Sequence, residues 1–185
     1  MANKAVFFDR DDTLIADTGY IDDPALVELL PGAAAAVASL QAAGYRIVVI
    51  TNQSGIARGL LDEAALERIH AELRRQLTAG GAGVDAIYYC PFHPEGTVQP
   101  YIRESDDRKP APGMLRQAAR DMDIDLSQSW TIGDRGRDIE AGRRAGTRTI
   151  RILPQGQAPK PTDPPADFTV PDLPAAAAVI LGQVG

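Results

Sequence analysis

Residues 6–13 read VFFDRDDT, and this stretch decides the fold. The apolar run at 6–8 predicts a short buried strand, and acidic residues follow it directly. Similar β-branched or aromatic runs recur along the chain and alternate with longer helical patterns. This alternation is typical of an α/β fold, in which a mostly parallel sheet has helices on both faces. We expect a single domain over residues 1–185.

The predicted elements follow one another as βαβαβαβαβ, with a last edge strand and a closing helix. Strands are predicted at residues 6–8, 46–51, 86–90, 130–133, 147–153 and 168–170. Helices are predicted at residues 33–43, 62–77, 112–122, 137–145 and 174–181. Gly44 and Gly146 are each expected to end a helix, because glycine adopts positive φ without steric cost.

The helix predicted at 62–77 has the clearest pattern. Asp62 is expected to cap its first turn. Its apolar residues fall on one stripe at helical spacing, namely Leu66, Ile69, Leu73 and Leu77. We predict that His70 lies on the surface of this helix and has no chemical role.

The composition limits the partners that the chain can have. The formal net charge is −6 and the isoelectric point is near 4.9, which argues against a broad basic surface for nucleic acid. The longest apolar stretch, at 175–181, is too short to span a bilayer, and residues 1–4 do not read as a signal peptide. A single cysteine, Cys90, excludes an internal disulfide. We expect a cytoplasmic monomer that contacts neither nucleic acid nor a membrane.

Acidic residues follow two of the predicted strands. Ligands bind beyond the carboxyl ends of the strands in open α/β sheets, and Asp9 and Asp134 stand at such ends. Like charges that converge there repel one another unless a cation lies among them, and Mg²⁺ suits carboxylate oxygens. We predict that the Asp9 and Asp134 carboxylates and the Asp11 carbonyl bind magnesium. Asp138, one helical turn further on, is expected to support the site without binding the ion itself.

The same groups suit phosphoryl transfer. A carboxylate such as Asp9 can attack phosphorus and form an aspartyl-phosphate. The Thr51 hydroxyl, the Lys109 ammonium and the metal would neutralise the phosphate in the transition state. Asp11, two residues beyond Asp9, can point to the same side and exchange protons with the leaving oxygen and with water. The sequence therefore predicts a magnesium-dependent phosphatase that acts on a small phosphorylated metabolite.

Four segments resemble, in order, the four motifs of the haloacid dehalogenase (HAD) superfamily. They are DRDDT at 9–13, TNQSG at 51–55, Lys109, and GDRGRD at 133–138. The resemblance extends over nearly the whole chain. It implies a Rossmann-like HAD fold without a large cap domain, and it implies the roles given above to the motif residues.

Three longer segments resemble one branch of that superfamily, the D-glycero-D-manno-heptose 1,7-bisphosphate 7-phosphatases. They read TNQSGIARG at 51–59, CPFHPEG at 90–96 and RKPAPGM at 108–114. This resemblance implies that the substrate is a small sugar bisphosphate, which loses its 7-phosphate. It also implies a substrate pocket lined by Asp17, Thr18, Gly19, Tyr20, Asn52, Gln53, Ser54, Arg108 and Arg135. Arg108 and Arg135 are expected to grip the second phosphate, for which a guanidinium is well suited.

The chain departs from this branch at two places. Members commonly hold a structural zinc on a Cys-x-His pair and a Cys-x-Cys pair, and here only Cys90 matches. Phe92, Ser105 and Asp107 stand at the other three positions. One thiol cannot form a tetrahedral zinc site, so we predict that structural zinc is absent and that the loop is held by its own packing. At the second place, Asp12 replaces the usual glycine and adds negative charge beside the phosphate site.

Three other functions stay open at this point. Histidinol-phosphate phosphatases form a closely similar branch, although TNQSGIARG favours the heptose enzyme. Asp12 suggests a weakly active or non-catalytic phosphate-binding HAD protein. Nucleic-acid 3′-phosphatases share the TNQ-type turn, but the acidic balance of this chain argues against them.

Overall fold

The structure is a computed structural model that describes residues 2–17 and 19–182. The strands are β1 (Lys4–Phe8), β2 (Tyr45–Asn52), β3 (Ala86–Cys90), β4 (Trp130–Gly133), β5 (Arg148–Ile152) and β6 (Phe168–Val170). They form one parallel sheet in the order β3-β2-β1-β4-β5-β6. The helices are α1 (Ala33–Ala42), α2 (Glu63–Ala79), α3 (Gly113–Asp121), α4 (Gly136–Ala145) and α5 (Leu173–Ile180). The predicted α/β fold is confirmed.

The middle of the sheet is buried on both faces. Phe7 of β1 is paired with Val48 of β2 on one side and with Thr131 of β4 on the other. The residues at 6–8 and 47–50 are all fully buried. A strand that is covered on both faces reads as an unbroken apolar run, which is why these two strands were visible in the sequence.

Helices cover the two faces of the sheet. On one face, Val6 and Phe8 belong to a buried cluster with residues of α1, α2 and α5. On the other face, Phe7 lies in a cluster with Met114 of α3 and Ala141 of α4. Burial of this apolar surface is the main force that drives folding. Among the described residues, none of the helices is both long enough and apolar enough to cross a membrane.

The helix ends follow local sequence signals. The Asp62 side chain accepts a hydrogen bond from the Ala65 N–H at 2.7 Å and caps α2, as predicted. Gly146 ends α4 with a φ of 93°, and Gly44 has a φ of 82° between α1 and β2. The observed bounds of the helices and strands lie within about two residues of the predicted ones.

One prediction about α2 is wrong. His70 is buried and lies among the core-facing residues of the helix, together with Leu66 and Leu73. It is four residues after Leu66 and three before Leu73, so the buried helical stripe runs through it. His70 is therefore buried because of its position in the stripe, although its ring is polar.

Candidate active site

Three carboxylates meet at the carboxyl edge of the sheet. Asp9 follows β1, Asp134 follows β4, and Asp138 lies in the first turn of α4. One oxygen from each carboxylate can be chosen so that all three oxygens lie within 4.8 Å of one another. Gly133 permits this approach, because a side chain there would overlap the Asp138 carboxylate. The acidic groups at the ends of two strands thus form one cluster.

The Lys109 ammonium lies inside this cluster and is buried. Its Nζ is 2.7 Å from Asp9 Oδ1 and 2.8 Å from Asp138 Oδ1. It also donates to the Ile50 carbonyl at 2.9 Å. The Asn52 amide holds the Lys109 backbone twice, because Nδ2 donates to its carbonyl and Oδ1 accepts from its N–H, each at 3.0 Å. A lysine that is distant in the sequence is therefore fixed beside the predicted nucleophile.

Burial and mutual repulsion change the acidity of these groups. Burial, followed by the charge of Asp138, raises the pKa of Asp9 to about 7 against the opposing effect of Lys109. Burial and Asp138 likewise raise the pKa of Asp134 to about 6. Burial by itself would lower the pKa of Lys109, but the Asp138 and Asp9 carboxylates outweigh it and raise that pKa. The ionised carboxylates are unfavourable here without a counter-charge, so the site favours the binding of a cation.

The residues present fit a divalent cation. Asp134 Oδ1 is buried and accepts no hydrogen bond from any described residue. Such an oxygen is costly, and a hard cation such as Mg²⁺ would satisfy it. By contrast, Asp138 Oδ2 accepts from the Arg135 N–H at 2.9 Å, and Asp138 Oδ1 forms its ion pair with Lys109 without ideal hydrogen-bond alignment. These contacts favour Asp9 and Asp134 as the carboxylate ligands.

Asp11 receives hydrogen bonds from two segments of the chain. Arg10 donates to it through Nε, at 2.9 Å from Oδ1, and through Nη2, at 3.2 Å from Oδ2. Gln53 Nε2 donates both to Asp11 Oδ2 at 3.0 Å and to Thr51 Oγ1 at 2.8 Å. Gln53 therefore links the predicted acid–base group to the predicted phosphate-binding hydroxyl. Because the Thr51 oxygen already accepts a hydrogen bond, its own proton is directed elsewhere and can be donated to a ligand.

Asp12 adopts the left-handed conformation that glycine favours, with a φ of 55°. Its Oδ1 accepts from the Asp17 N–H at 3.1 Å, and its Oδ2 pairs with Arg135 at 3.1 Å. Arg135 also pairs with Asp134 Oδ2 at 2.6 Å. The added negative charge of Asp12 is therefore balanced by Arg135. The same contacts occupy the guanidinium that was expected to grip a second phosphate, and that role of Arg135 stays a prediction.

We call the residues that surround the carboxylate cluster on its solvent side the rim. The segment after the first acidic motif forms one side of it, where the Asp17 N–H contacts Asp12. Asp17 Oδ1 accepts from the Gly19 N–H at 2.8 Å, and the Tyr20 ring is exposed. Gly55 leaves room for that ring, since a side chain at this position would meet it. Thr18, which was also predicted to contact substrate, lies outside the described residues. The substrate contacts of this segment stay predictions.

Basic side chains form another side of the rim. Arg108 donates to the Phe92 carbonyl at 3.4 Å, and the Arg58 guanidinium lies 3.4 Å from His93 Nε2. Burial lowers the pKa of His93, and the charges of Arg108 and Arg58 lower it further. Partly buried Ser54 lies beside them, with its carbonyl accepting from the Arg58 N–H at 3.0 Å. Such a group of basic side chains favours an anion.

The loop after β3 is held by aromatic and backbone contacts. The Arg103 guanidinium lies 3.7 Å from the centre of the Phe92 ring, and the Tyr101 ring packs beside it at 6.1 Å. The Thr97 N–H donates to the Ala57 carbonyl at 2.7 Å and ties the loop to the turn after β2. These contacts are the packing that was expected for this loop. The absence of structural zinc stays a prediction.

The carboxylate cluster reaches solvent through its rim. Asp9, Thr51 and Lys109 are buried, whereas Asp11 and Asp134 are partly exposed. A cavity of about 960 Å³ adjoins Asp134 and extends along the proline-rich loop at 154–163. Neither Asp9 nor Lys109 lines this cavity. The position of the site is therefore given by its charged groups and not by this cavity.

Three residues that were given no role contribute to this edge. Arg10 clamps Asp11, and His70 Nε2 lies 3.4 Å from Arg10 Nη1. Arg151 of β5 donates through Nε to the Asp134 carbonyl at 3.2 Å and steadies the turn after β4. The spacing of His70 along α2 was a signal that could have been used. Nothing in the sequence near Arg151 pointed to its contact.

Comparison with known proteins identifies the family. The HAD-hydrolase-like family model matches residues 107–176. Two curated relatives are both named D-glycero-beta-D-manno-heptose-1,7-bisphosphate 7-phosphatase. The one from Haemophilus ducreyi is 40% identical over 159 residues, which cover 85% of this chain and 87% of the relative. The one from Photorhabdus laumondii is 40% identical over 148 residues, which cover 79% of each protein.

A solved structure is similar over almost the whole chain. It is the D,D-heptose 1,7-bisphosphate phosphatase from B. bronchiseptica, complexed with magnesium and phosphate. The TM-score is 0.84 at 34% identity, and the match covers 98% of this chain and 99% of that one. This chain therefore belongs to the family of the D-glycero-beta-D-manno-heptose-1,7-bisphosphate 7-phosphatases, within the HAD superfamily, and it is a phosphoric monoester hydrolase.

Proposed function

We propose that the protein removes the 7-phosphate of D-glycero-beta-D-manno-heptose 1,7-bisphosphate in a magnesium-dependent reaction. One observation carries the proposal: in a chain of this family, three carboxylates and a buried lysine form a single cluster at the sheet edge. The names of the relatives support the substrate. The magnesium and phosphate bound to the B. bronchiseptica enzyme support the metal.

The first step forms an aspartyl-phosphate on Asp9. A carboxylate oxygen attacks the phosphorus of the 7-phosphate, and the bond from phosphorus to the bridging oxygen breaks. Asp11 gives its proton to that oxygen, which leaves as the 7-hydroxyl group. Lys109 Nζ, 2.7 Å from Asp9 Oδ1, lowers the repulsion between the carboxylate and the phosphate. The Thr51 hydroxyl donates to a phosphate oxygen.

The second step frees Asp9. Asp11, now a carboxylate, takes a proton from a water molecule whose oxygen attacks phosphorus and displaces the Asp9 carboxylate. Inorganic phosphate leaves, and the proton stays on Asp11 for the next cycle. Gln53 donates to both Asp11 and Thr51, so it keeps the acid–base group aligned with the hydroxyl that binds phosphate.

Asp9, Asp134 and the Asp11 carbonyl would hold the magnesium ion. When bound, the ion supplies positive charge that offsets the repulsion between the carboxylates and the phosphate. Asp138 pairs with Lys109 and accepts from the Arg135 N–H, so it orients the lysine and the first turn of α4. The protein itself thus fixes the nucleophile and one compensating charge before any ion binds.

The basic side of the rim suits the second phosphate of the substrate. Arg58 contacts His93 and Arg108 contacts the carbonyl of the preceding residue, Phe92, so two guanidinium groups there offer several donors to phosphate oxygens. Arg135 would have to exchange its contact with Asp12 or Asp134 for a contact with phosphate. Arg108 is therefore the better candidate of the two predicted arginines.

Turnover on matched substrates tests the proposal. Phosphate release is measured with magnesium from the beta and alpha anomers of the heptose bisphosphate and from histidinol phosphate. We expect kcat/KM for the beta anomer to exceed that for histidinol phosphate at least about 100-fold, because histidinol phosphate lacks a second phosphate to form charge-assisted hydrogen bonds. Phosphorus NMR should show that the product keeps its 1-phosphate.

A pair of aspartate variants provides the control. Asp9→Asn should abolish phosphate release, whereas Asp121→Asn, at an exposed aspartate that pairs with Tyr88, should not change it. A preference for histidinol phosphate would overturn the substrate. Activity retained in Asp9→Asn would overturn the nucleophile.

A further inference from the structure

We propose that Arg10 is a positioning residue that holds Asp11 in its reactive orientation, and that His70 fixes Arg10 in turn. The inference rests on the acid–base role of Asp11 in the proposed function. It adds a path of contacts from the buried face of α2 to the carboxylate that transfers the proton.

Arg10 is an arginine that folding has removed from water. It is 2% exposed, although it stands in a turn between two acidic residues. Its guanidinium binds Asp11 side-on: Nε and Nη2 each lie 2.9 Å from Oδ1, and Nη2 also lies 3.2 Å from Oδ2. This fork fixes both the position and the plane of the carboxylate, which a single-point ammonium cannot do.

Asp11 needs this restraint more than Asp9 does. The Asp11 side chain is 25% exposed, and a carboxylate without restraint in a turn samples several χ1 rotamers. Asp9 is buried, and its Oδ1 accepts from both Lys109 Nζ and the Arg10 N–H. Gln53 contacts only one oxygen of Asp11. The Arg10 fork is therefore the contact that sets the carboxylate plane.

His70 lies on the remaining side of the guanidinium, with Nε2 3.4 Å from Arg10 Nη1. Burial, with the charges of Arg10 and Arg74, lowers the pKa of His70 to about 3. The ring is therefore neutral at physiological pH, and Nε2 can accept a hydrogen bond from Arg10. Helix α2 thus supplies a rigid acceptor that keeps the guanidinium turned towards Asp11.

Loss of the fork would impair proton transfer more than phosphate binding. Protonation by Asp11 matters when the leaving group is an alkoxide, and it matters little when the leaving group is p-nitrophenolate, a stable anion. The value of kcat/KM covers the steps up to release of the leaving group, so hydrolysis of the aspartyl-phosphate does not enter it. The ratio of kcat/KM for an alkyl phosphate to that for p-nitrophenyl phosphate therefore reports the placement of Asp11.

The experiment measures this ratio in the full chain with magnesium. The alkyl phosphate is whichever of heptose bisphosphate and histidinol phosphate the wild-type protein hydrolyses. Arg10→Lys keeps the charge and removes the fork, and we expect the ratio to fall about 100-fold, the loss that follows a misplacement of about 1 Å. His70→Leu should lower it about 10-fold, and His70→Gln, which restores an acceptor, should recover it to within about threefold.

Arg75→Lys is the matched control, because Arg75 lies on the exposed face of α2 and pairs with Glu72. It should leave the ratio unchanged. An unchanged ratio would overturn the inference. If kcat/KM fell equally for both substrates, the role of Arg10 and His70 would be merely structural or electrostatic. If circular dichroism shows that Arg10→Lys does not fold, the two His70 variants decide.

The outcome also separates this inference from the proposed function. A wild-type protein that hydrolyses none of these phosphates would overturn the proposed function and the inference together. An active wild-type protein whose ratio does not respond to the Arg10 and His70 variants would overturn only the inference.

Discussion

Two ion pairs at the carboxyl edge of the sheet have similar geometry and very different surroundings. The Lys109–Asp9 pair spans 2.7 Å with its side chains 1% and 5% exposed, and the Arg135–Asp12 pair spans 3.1 Å with its side chains 53% and 41% exposed. An unpaired charge is costly in the interior, whereas water screens an exposed pair and leaves it worth about 1 kcal/mol or less. The buried pair lies where we propose the chemistry, and the exposed pair lies on the rim. Substitutions should therefore have large effects at the centre and small effects at the rim.

Of the changes compared below, Lys109→Met should have the largest effect. It removes the charge that pairs with Asp9 and Asp138, so we expect kcat to fall at least about 1,000-fold. It leaves two buried carboxylates without their partner and should lower the free energy of unfolding of the metal-free protein by about 3 kcal/mol. Steady-state kinetics and urea unfolding check the two effects.

Lys160→Met is the control for this change, since Lys160 is exposed on the proline-rich loop. It should change neither quantity appreciably. A Lys109→Met protein with nearly normal kcat would contradict the view that the buried pair is the reactive centre.

Magnesium should stabilise the protein more at pH 8 than at pH 5. The pKa of Asp9 is raised to about 7 and that of Asp134 to about 6, chiefly by burial, so both are largely protonated at pH 5 and the ion must displace protons. A raised carboxyl pKa favours the fold at low pH, and this contribution is lost as the pH rises from the unfolded value of 3.8 through about 6 to 7. Thermal unfolding in magnesium and in chelator should show a rise in Tm that is at least about 5 °C larger at pH 8.

Asp134→Asn tests the assignment of this effect, because it removes one proposed ligand and one of the two shifted groups. The variant should show a smaller rise in Tm and a smaller difference between the two pH values. An equal rise in the wild-type protein at pH 5 and pH 8 would mean that the ion does not bind these carboxylates.

Asp12→Gly should have a small effect. Glycine adopts the positive φ of this position at less cost, but the change also removes the exposed pair with Arg135. We expect these effects to offset each other, with less than about 1 kcal/mol of change in unfolding free energy and less than about threefold change in kcat/KM. Urea unfolding and steady-state kinetics measure both. A hundredfold change in kcat/KM would show that Asp12 acts on the reacting groups.

Cys90→Ala should have the smallest effect on activity. The thiol is buried and its pKa is raised by burial, so it has little of the thiolate character that metal binding needs. We expect unchanged kcat/KM, and activity that survives zinc-selective chelation once magnesium is restored. The lost packing should cost about 1 kcal/mol. Zinc bound in a one-to-one ratio in the purified protein would contradict the prediction for this loop.

The sequence by itself determined the layers of the fold and the chemical groups at the site. Strands β1 and β2 were visible because burial on both faces requires an unbroken apolar run, which is a local property of the chain. Asp9 and Asp134 could be placed together because parallel strands bring their carboxyl ends to one edge. Asp12 stands where the superfamily usually has glycine, and it adopts the positive φ that glycine favours.

Only the tertiary structure decided which charges pair and how far each lies from water. Lys109 is 100 residues from Asp9 in the chain, and the Asn52 amide that fixes it lies at the end of β2. Arg135 pairs with Asp12, and His70 lies beside Arg10. The residues next to Arg135 and His70 in the sequence did not indicate these two contacts. Strands and helices depend on the local periodicity of the sequence. Pairing and pKa depend on through-space distance and on the surrounding dielectric, which exist only once the chain has folded.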